Sequence, residues 1–550
     1  MSKFRFFVIL KVLIWYSQSA ICETRRPHII FIMADDLGWN DVGFHGSSQI
    51  PTPNIDALAY SGVILNNYYV TAICTPSRSA LMTGKHPIHT GMQHTVLYGA
   101  EPRGLPLNET LLPQYLKGLG YSTHIVGKWH LGSYKREYTP LYRGFDSHLG
   151  YWTGHHDYFD HTAVENPGWG LDIRRNMDVA WDLHGHYSTD VFTKEAERII
   201  SNHNTSKPLF LYLAHAAVHS ANPYNPLPAP DVDVARFNHI NHYNRRRFAG
   251  VLSKLDESVG KVVQALSSRK MLENSIIVFT TDNGGPADGF NINAASNWPL
   301  RGVKNTLWEG GVRGAALLWS SLMLQPQRVA LQTMHIMDWL PTLYFAAGGD
   351  TRNLGNIDGL NMWEALTEDQ PSKRTEILHN IDDIYGNAAL TVGQWKILKG
   401  TTYNGQWDSW YGPSGRTGTY NVSDVLNSLS GRALASIKKA ANVSTIISMR
   451  TNAEVRCPDV TNTKENEKVV PCKLLNAPCL FNIQYDPCEK RNLAQAYPSI
   501  LKQLEDRLDA WNKTAVPPGN LPLDPRGDPR FWDYTWTNFG DYSIISNVVS

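Results

Sequence analysis

Three short clusters in this sequence combine residue types that can do chemistry: Cys74-Thr-Pro-Ser-Arg78, Asp35-Asp36 and Asp282-Asn283. Asp35, Asp36, Asp282 and Asn283 offer only oxygen ligands. An all-oxygen set rich in carboxylates suits Ca²⁺ or Mg²⁺ and disfavours zinc or copper, and ligation by several flexible acids fits calcium better than magnesium. Either acidic pair alone is better read as a strand-end cap or turn. Two such pairs, each following an apolar β-branched run, read together as a cation site. Cys74 is a small buried thiol or a reactive group. Pro76 fits the first turn of a helix, where its missing N–H costs nothing. That puts residue 74 near a helix N-terminus, whose dipole favours anions.

The elements around these clusters must bring them together. His28–Met33 runs into Asp35, Pro208–Leu213 leads toward His215 and His219, and Ser275–Thr280 runs into Asp282. Continuous apolar runs of this length are the signature of buried parallel strands. Phe248, Val251, Leu252, Leu255, Val259, Val262, Val263 and Leu266 recur at helical spacing and predict a helix over 246–266. Strands alternating with helices imply an α/β sheet covered on both faces, with ligands at the carboxyl ends of the strands. From about residue 390 the texture shifts to Gly, Ser, Asn and aromatic residues, then to a cysteine cluster and a helix near 499–511. The expected organisation is a leader over 1–22, a catalytic domain over 23–390 and a smaller C-terminal domain over 391–550.

The leader has a basic start at Lys3 and Arg5, an apolar run from Phe6 to Trp15 and small residues at Ser17, Ser19 and Ala20. It matches a cleaved signal peptide and is too short for a membrane anchor. Sequons at Asn108, Asn204, Asn421, Asn442 and Asn512 agree with residence in the secretory pathway, lysosomal or secreted. Of six cysteines, Cys22 lies at the cleavage point and Cys74 stands alone. Cys457, Cys472, Cys479 and Cys488 cluster near the end, suggesting two disulfides in any of three pairings, with a zinc site as the rival reading. A net charge of +1 argues against a general nucleic-acid binder.

Cys74-Thr-Pro-Ser-Arg78, followed by Ser79-Ala-Leu-Met-Thr-Gly84, resembles the sulfatase family signature C-x-P-x-R. The chain also carries, in the family's order, Asp35-Asp-Leu-Gly-Trp39, Gly127-Lys-Trp-His-Leu-Gly132, Val218-His219, Thr281-Asp-Asn-Gly-Gly285 and Trp308-Glu-Gly-Gly-Val-Arg313. Asn297–Gly302, Lys304 and Leu307–Gly314 are similar to the arylsulfatase B (N-acetylgalactosamine-4-sulfatase) branch. The resemblance implies an alkaline-phosphatase-like α/β sandwich, with a large, mostly parallel mixed sheet flanked by helices and a smaller C-terminal domain. It also implies conversion of Cys74 to formylglycine by a formylglycine-generating enzyme, with Ca²⁺ held by Asp35, Asp36, Asp282, Asn283 and residue 74. The implied substrate is a sulfated glycan, in particular N-acetylgalactosamine 4-sulfate units of glycosaminoglycans. By the same resemblance, Arg78 and His130 orient and activate residue 74, with His130 as the base. Lys128, Lys304 and His219 hold the sulfate, and Lys304 or His219 protonates the leaving oxygen. His86 and His215 read as structural.

The chain departs from the family at Ser220-Ala-Asn-Pro, where relatives place an acidic residue or threonine directly before proline, and this puts the sugar specificity in question. It also lacks the N-terminal paired cysteines of arylsulfatase B. Two other functions share these features. A phosphate ester hydrolase on the same scaffold would use Ser or Thr with two zinc ions, and a silent glycan-binding protein would have lost a signature residue.

Overall fold

The structure, a computed structural model, describes residues 26–458 and 470–543, so the expected leader lies outside the described residues. Its largest sheet contains ten strands. In chain order these are β1 (His28–Ala34), β2 (Val63–Leu65), β3 (Ser122–Lys128), β4 (Ser147–Tyr151), β5 (Arg174–Arg175), β6 (Asp178–Val179), β7 (Leu209–Ala214), β8 (Ser275–Thr281), β9 (Ala316–Ser320) and β10 (Arg328–Ala330). Their order across the sheet is β10-β2-β9-β8-β1-β7-β3-β4-β5-β6. The five central strands, β8 to β4, are parallel. Both flanks turn antiparallel, at β9 on one side and β5 on the other. The expected mixed, mostly parallel sheet is therefore present.

Side chains alternate across β1 as the pleat requires. Ile30 and Ile32 enter one core, Ile29, Phe31 and Met33 the other. The first core is covered by helices α1 (Pro53–Ser61), α3 (Ser188–Asn202) and α4 (Tyr243–Ser268), the second by α2 (Cys74–Thr83) and α5 (Trp339–Ala346). The helix predicted over 246–266 lies inside α4, whose Phe248, Val251, Leu255 and Val259 are fully buried.

A second, antiparallel sheet contains β11 (Glu376–Asp382), β12 (Asn387–Val392), β13 (Trp395–Lys399) and β14 (Cys479–Asn482). Residues between β13 and β14 leave this sheet: α6 (Leu429–Ser436) packs on α1 and α4. Helix α7 (Pro498–Asn512), where 499–511 read as helical, packs on β12 and β13. A buried ion triad joins the small sheet to the helical turn Glu309–Val312 that precedes β9. Lys396 Nζ lies 2.8 Å from Glu309 and 2.9 Å from Glu489, all fully buried. The disulfides are Cys457–Cys488 and Cys472–Cys479, which selects one of the three pairings and removes the zinc reading; Cys74 is free and buried.

Residues 517–541 return to the large domain as a strap. Gly519 donates to Gly91 O at 2.8 Å and Asp524 to Ala100 O at 2.8 Å. Trp536, 2% exposed, donates its indole N–H to Ala163 O at 3.0 Å and its backbone N–H to Leu171 O at 3.0 Å. It thereby clamps the hairpin formed by Thr162–Glu165 and Gly168–Leu171. No helix among the described residues is long and apolar enough to cross a membrane.

Candidate active site

Because β8, β1, β7 and β3 run parallel, their carboxyl ends open on one edge of the sheet, and every sequence-predicted site residue outside α2 and Lys304 follows one of them. Asp35 and Asp36 leave β1, Lys128 ends β3 with His130 two residues on, His219 follows β7, and Asp282 and Asn283 follow β8. Helix α2 begins at Cys74, and its preceding residue, Ile73, offers no capping side chain. Pro76 stands in the first turn, as its sequence position implies. The helix stops at Gly84, which adopts φ 67° and closes on Ala80 O.

The three carboxylates and the amide converge. Asp282 Oδ1 accepts from the Asp36 backbone N–H at 3.2 Å, and Asn283 Nδ2 donates to Asp36 Oδ1 at 2.6 Å. Cys74 Sγ lies 3.6 Å from Asp35 Oδ1. All of these groups are buried. Three cations answer the three acids. Lys128 Nζ donates to Asp35 Oδ2 at 2.6 Å, Lys304 Nζ to Asp36 Oδ2 at 2.7 Å, and Arg78 grips Asp282 Oδ2 with Nε at 3.1 Å and Nη2 at 2.8 Å.

Burial alone would raise the Asp35 carboxyl, but the surrounding cations, led by Lys128, outweigh it and hold Asp35 below the usual carboxylate range. Burial pushes Asp36 up despite Lys304, and burial together with the Asp35 charge pushes Asp282 up to about 7. Burial also pushes the Cys74 thiol up, which leaves the unmodified side chain a weak nucleophile.

The donor set fits a hard cation. Acids crowded at bonding distance repel one another, and Asn283 Oδ1, buried among them, has no hydrogen-bond partner. Asp35, Asp36, Cys74 and His219 place ligand atoms within 4.8 Å of one another. His219 is the least suited of these four. Its Nδ1 lies 2.6 Å from Ser220 O and so carries the ring hydrogen, while Nε2 faces Lys304 Nζ at 3.3 Å and Asn291 Nδ2 at 3.4 Å. That lone pair is already claimed by two donors.

His130 adopts φ 56°. Its Nε2 donates to Leu97 O at 2.9 Å, and its buried Nδ1 has no partner, which leaves a free lone pair. Burial, with Lys128 and Arg78 nearby, holds this imidazole well below its ordinary pKa, in the neutral form a base requires. Cys74, His130, His219 and Lys304 line one cavity of about 240 Å³. Arg78 and Lys128 stand behind it. His215 bonds Ser258 Oγ at 2.9 Å and His86 bonds Leu378 O at 3.1 Å; both lie outside the cavity lining.

The cavity also holds residues that the sequence did not single out: Tyr98, His155, Glu165, Phe290 and Asn291. The Ser220-Ala-Asn departure is part of its frame, since Ser220 Oγ donates to Asn291 O at 3.0 Å and Asn222 Oδ1 accepts from Val164 N–H at 2.9 Å.

A protein-family model described as Sulfatase matches residues 27–349. Arylsulfatase J of Mus musculus is 41% identical over 540 residues, covering 94% of this chain and 81% of the relative. The N-acetylgalactosamine-6-sulfatase of Homo sapiens is 31% identical over 396 residues, covering 67% of this chain and 71% of the relative. Among solved structures, Ps i-CgsB in complex with k-i-k-neocarrahexaose superposes with a TM-score of 0.69 at 27% identity, covering 91% of this chain and 96% of that one. With its signature residues gathered on one pocket of paired cations and carboxylates, the chain belongs to the sulfatase family of sulfuric ester hydrolases.

Proposed function

We propose that this enzyme removes sulfate from a sulfated amino sugar of glycosaminoglycans, N-acetylgalactosamine 4-sulfate units in particular, through a formylglycine made from Cys74 and a bound Ca²⁺. The observation that carries this reading is the meeting of residue 74 with Asp35 at a cavity that also holds His130, His219 and Lys304. Asp35, Asp36, Asp282, Asn283 and residue 74 would hold the calcium, which would supply Lewis-acid polarisation of the sulfate oxygens. The hydrated aldehyde would supply two hydroxyls on one carbon, one for attack on sulfur and one for the collapse that releases sulfate.

The chain's own residues do the rest. His130 Nδ1, the free lone pair, takes the proton from residue 74. Arg78 and Lys128 pair with Asp282 and Asp35 and hold them in line. Lys304 holds the sulfate end, and His219 Nε2 accepts from Lys304 and fixes its direction. Because the His219 hydrogen sits on Nδ1, Lys304 carries the proton for the leaving oxygen. The asparagines of the sequons at 108, 204, 421, 442 and 512 are all exposed, as glycan attachment needs. With the two disulfides, they support a secretory enzyme, lysosomal or extracellular.

The test is mass spectrometry of the peptide spanning Thr71 to Arg78 from protein made in a eukaryotic host, which should carry an aldehyde at position 74. An intact thiol in active enzyme refutes the mechanism. Sulfate release from disaccharides bearing only a 4-sulfate or only a 6-sulfate tests the sugar position.

A further inference from the structure

We propose that Glu165 is a positioning residue that holds the His130 imidazole in register, a role that rests on reading His130 as the base at residue 74. Glu165 ends the first strand of the hairpin clamped by Trp536, and its side chain is 5% exposed. Its two carboxylate oxygens serve two different segments. Oε2 accepts from Gly99 N–H at 2.6 Å, and Oε1 accepts from Gly154 N–H at 3.2 Å.

Both segments touch His130. Leu97, two residues before Gly99, supplies the carbonyl that takes the Nε2 hydrogen at 2.9 Å; its own N–H donates to Thr75 Oγ1 at 3.1 Å, beside residue 74. Gly154 lies flat against the ring, where a Cβ would stand 2.9 Å from both Cε1 and Nε2. Trp152, two residues earlier, accepts from His130 N–H at 3.2 Å. The carboxylate thus staples together the two walls between which the ring stands. The Leu97 bond in turn fixes the tautomer that leaves Nδ1 free. Without the staple, two N–H groups lose their acceptor, and the segment carrying Leu97 O can drift from Nε2.

Only a carboxylate accepts at both oxygens; glutamine would turn an NH₂ toward one of the two N–H donors. Glu165→Gln therefore breaks one side of the staple with little change of volume. The experiment measures kcat and KM for p-nitrophenyl sulfate, with enzyme in excess for the weakest variants. It compares wild type, Glu165→Gln, His130→Ala and the double variant. The expected result is a ~10- to 100-fold fall in kcat with KM nearly unchanged, the scale of a misplaced catalytic group. In the His130→Ala background the same change should cost less than ~2-fold, because the two substitutions act through one group. Gly154→Ala is the second variant, pressing on the ring from the other wall; it should lower kcat in wild type and be silent once the imidazole is gone. Equal losses in both backgrounds would overturn the proposal while leaving His130 as the base. A rise in KM alone would overturn it in favour of substrate contact. Near wild-type turnover in His130→Ala would instead remove the reading of His130, and this proposal with it.

Discussion

Lys304→Met removes the cation nearest the open end of the site. With a divalent ion bound and Asp35, Asp36 and Asp282 ionised around it, these three negative charges balance the three positive ones of Arg78, Lys128 and Lys304, and the ion leaves a net two. Taking Lys304 away halves the net positive charge that a sulfate ester would meet. It also removes a donor placed 2.7 Å from Asp36 and 3.3 Å from His219 Nε2. Loss of one such preorganised donor costs ~3–4 kcal/mol, or ~10²- to 10³-fold in turnover. The assay is sulfate release from a nitrophenyl sulfate and from a sulfated disaccharide, side by side. If Lys304 protonates the leaving oxygen, kcat falls further for the sugar, whose alkoxide is the poorer leaving group, than for the nitrophenolate. If Lys304 only grips sulfate, KM rises by a similar factor for both. Breaking a buried pair also costs ~3–5 kcal/mol of stability, so melting must be followed in parallel, with activity compared below the transition. A folded Lys304→Met enzyme that loses less than ~10-fold in kcat/KM would refute the assignment.

Three further outcomes are expected. Asp282→Ala removes an acid of the proposed calcium set and the partner of Arg78, and should sharply lower calcium content by atomic absorption; unchanged calcium would remove Asp282 from that set. Lys396→Met leaves Glu309 and Glu489 buried side by side and should destabilise the fold by ~3–5 kcal/mol in denaturant unfolding, with sub-kcal loss counting against the triad as a structural joint. Burial holds the His215 imidazole down to about 3. The native ring therefore stays neutral while the unfolded one protonates below ~6.5, and stability is present above that pH and lost as pH falls below it. Between pH 6.5 and 5 this one group costs ~2 kcal/mol, so His215→Gln should show a smaller drop in Tm over that interval than wild type. An identical drop in both proteins would show that His215 is not the acid-sensitive group.

Much of this architecture is written locally in the sequence. Strands β1, β7 and β8 are buried on both faces and so read as unbroken apolar runs, and the acids at their ends stand where parallel strands open. Helix α4 announces itself because one stripe faces the core over seven turns. The pocket wall does not announce itself. Glu165 lies in a four-residue strand whose alternation is too short to register, and its importance arises only when Gly99 and Gly154 are brought to its two oxygens. Lys396 looks like a solvated strand lysine until Glu309 and Glu489 arrive from distant segments. Pairing of the four clustered cysteines likewise depends on where β14 lies against β13, which spacing does not encode. A cue to the wall was present in the Ser220-Ala-Asn departure, since Asn222 ties that hairpin to the His219 loop.

The strap over the Glu165 hairpin sets an order of events. Residues 517–541 leave the ribosome after more than 500 others, yet they complete a wall begun near residue 150. Trp536 holds that wall from outside, through Ala163 and Leu171 of the hairpin that carries Glu165 into the cavity. In the folded chain Cys74, on the far side of that wall, is 1% exposed. A pocket wall that leans on Trp536 is therefore complete only when residues 517–541 have docked, long after the residues it encloses have been made.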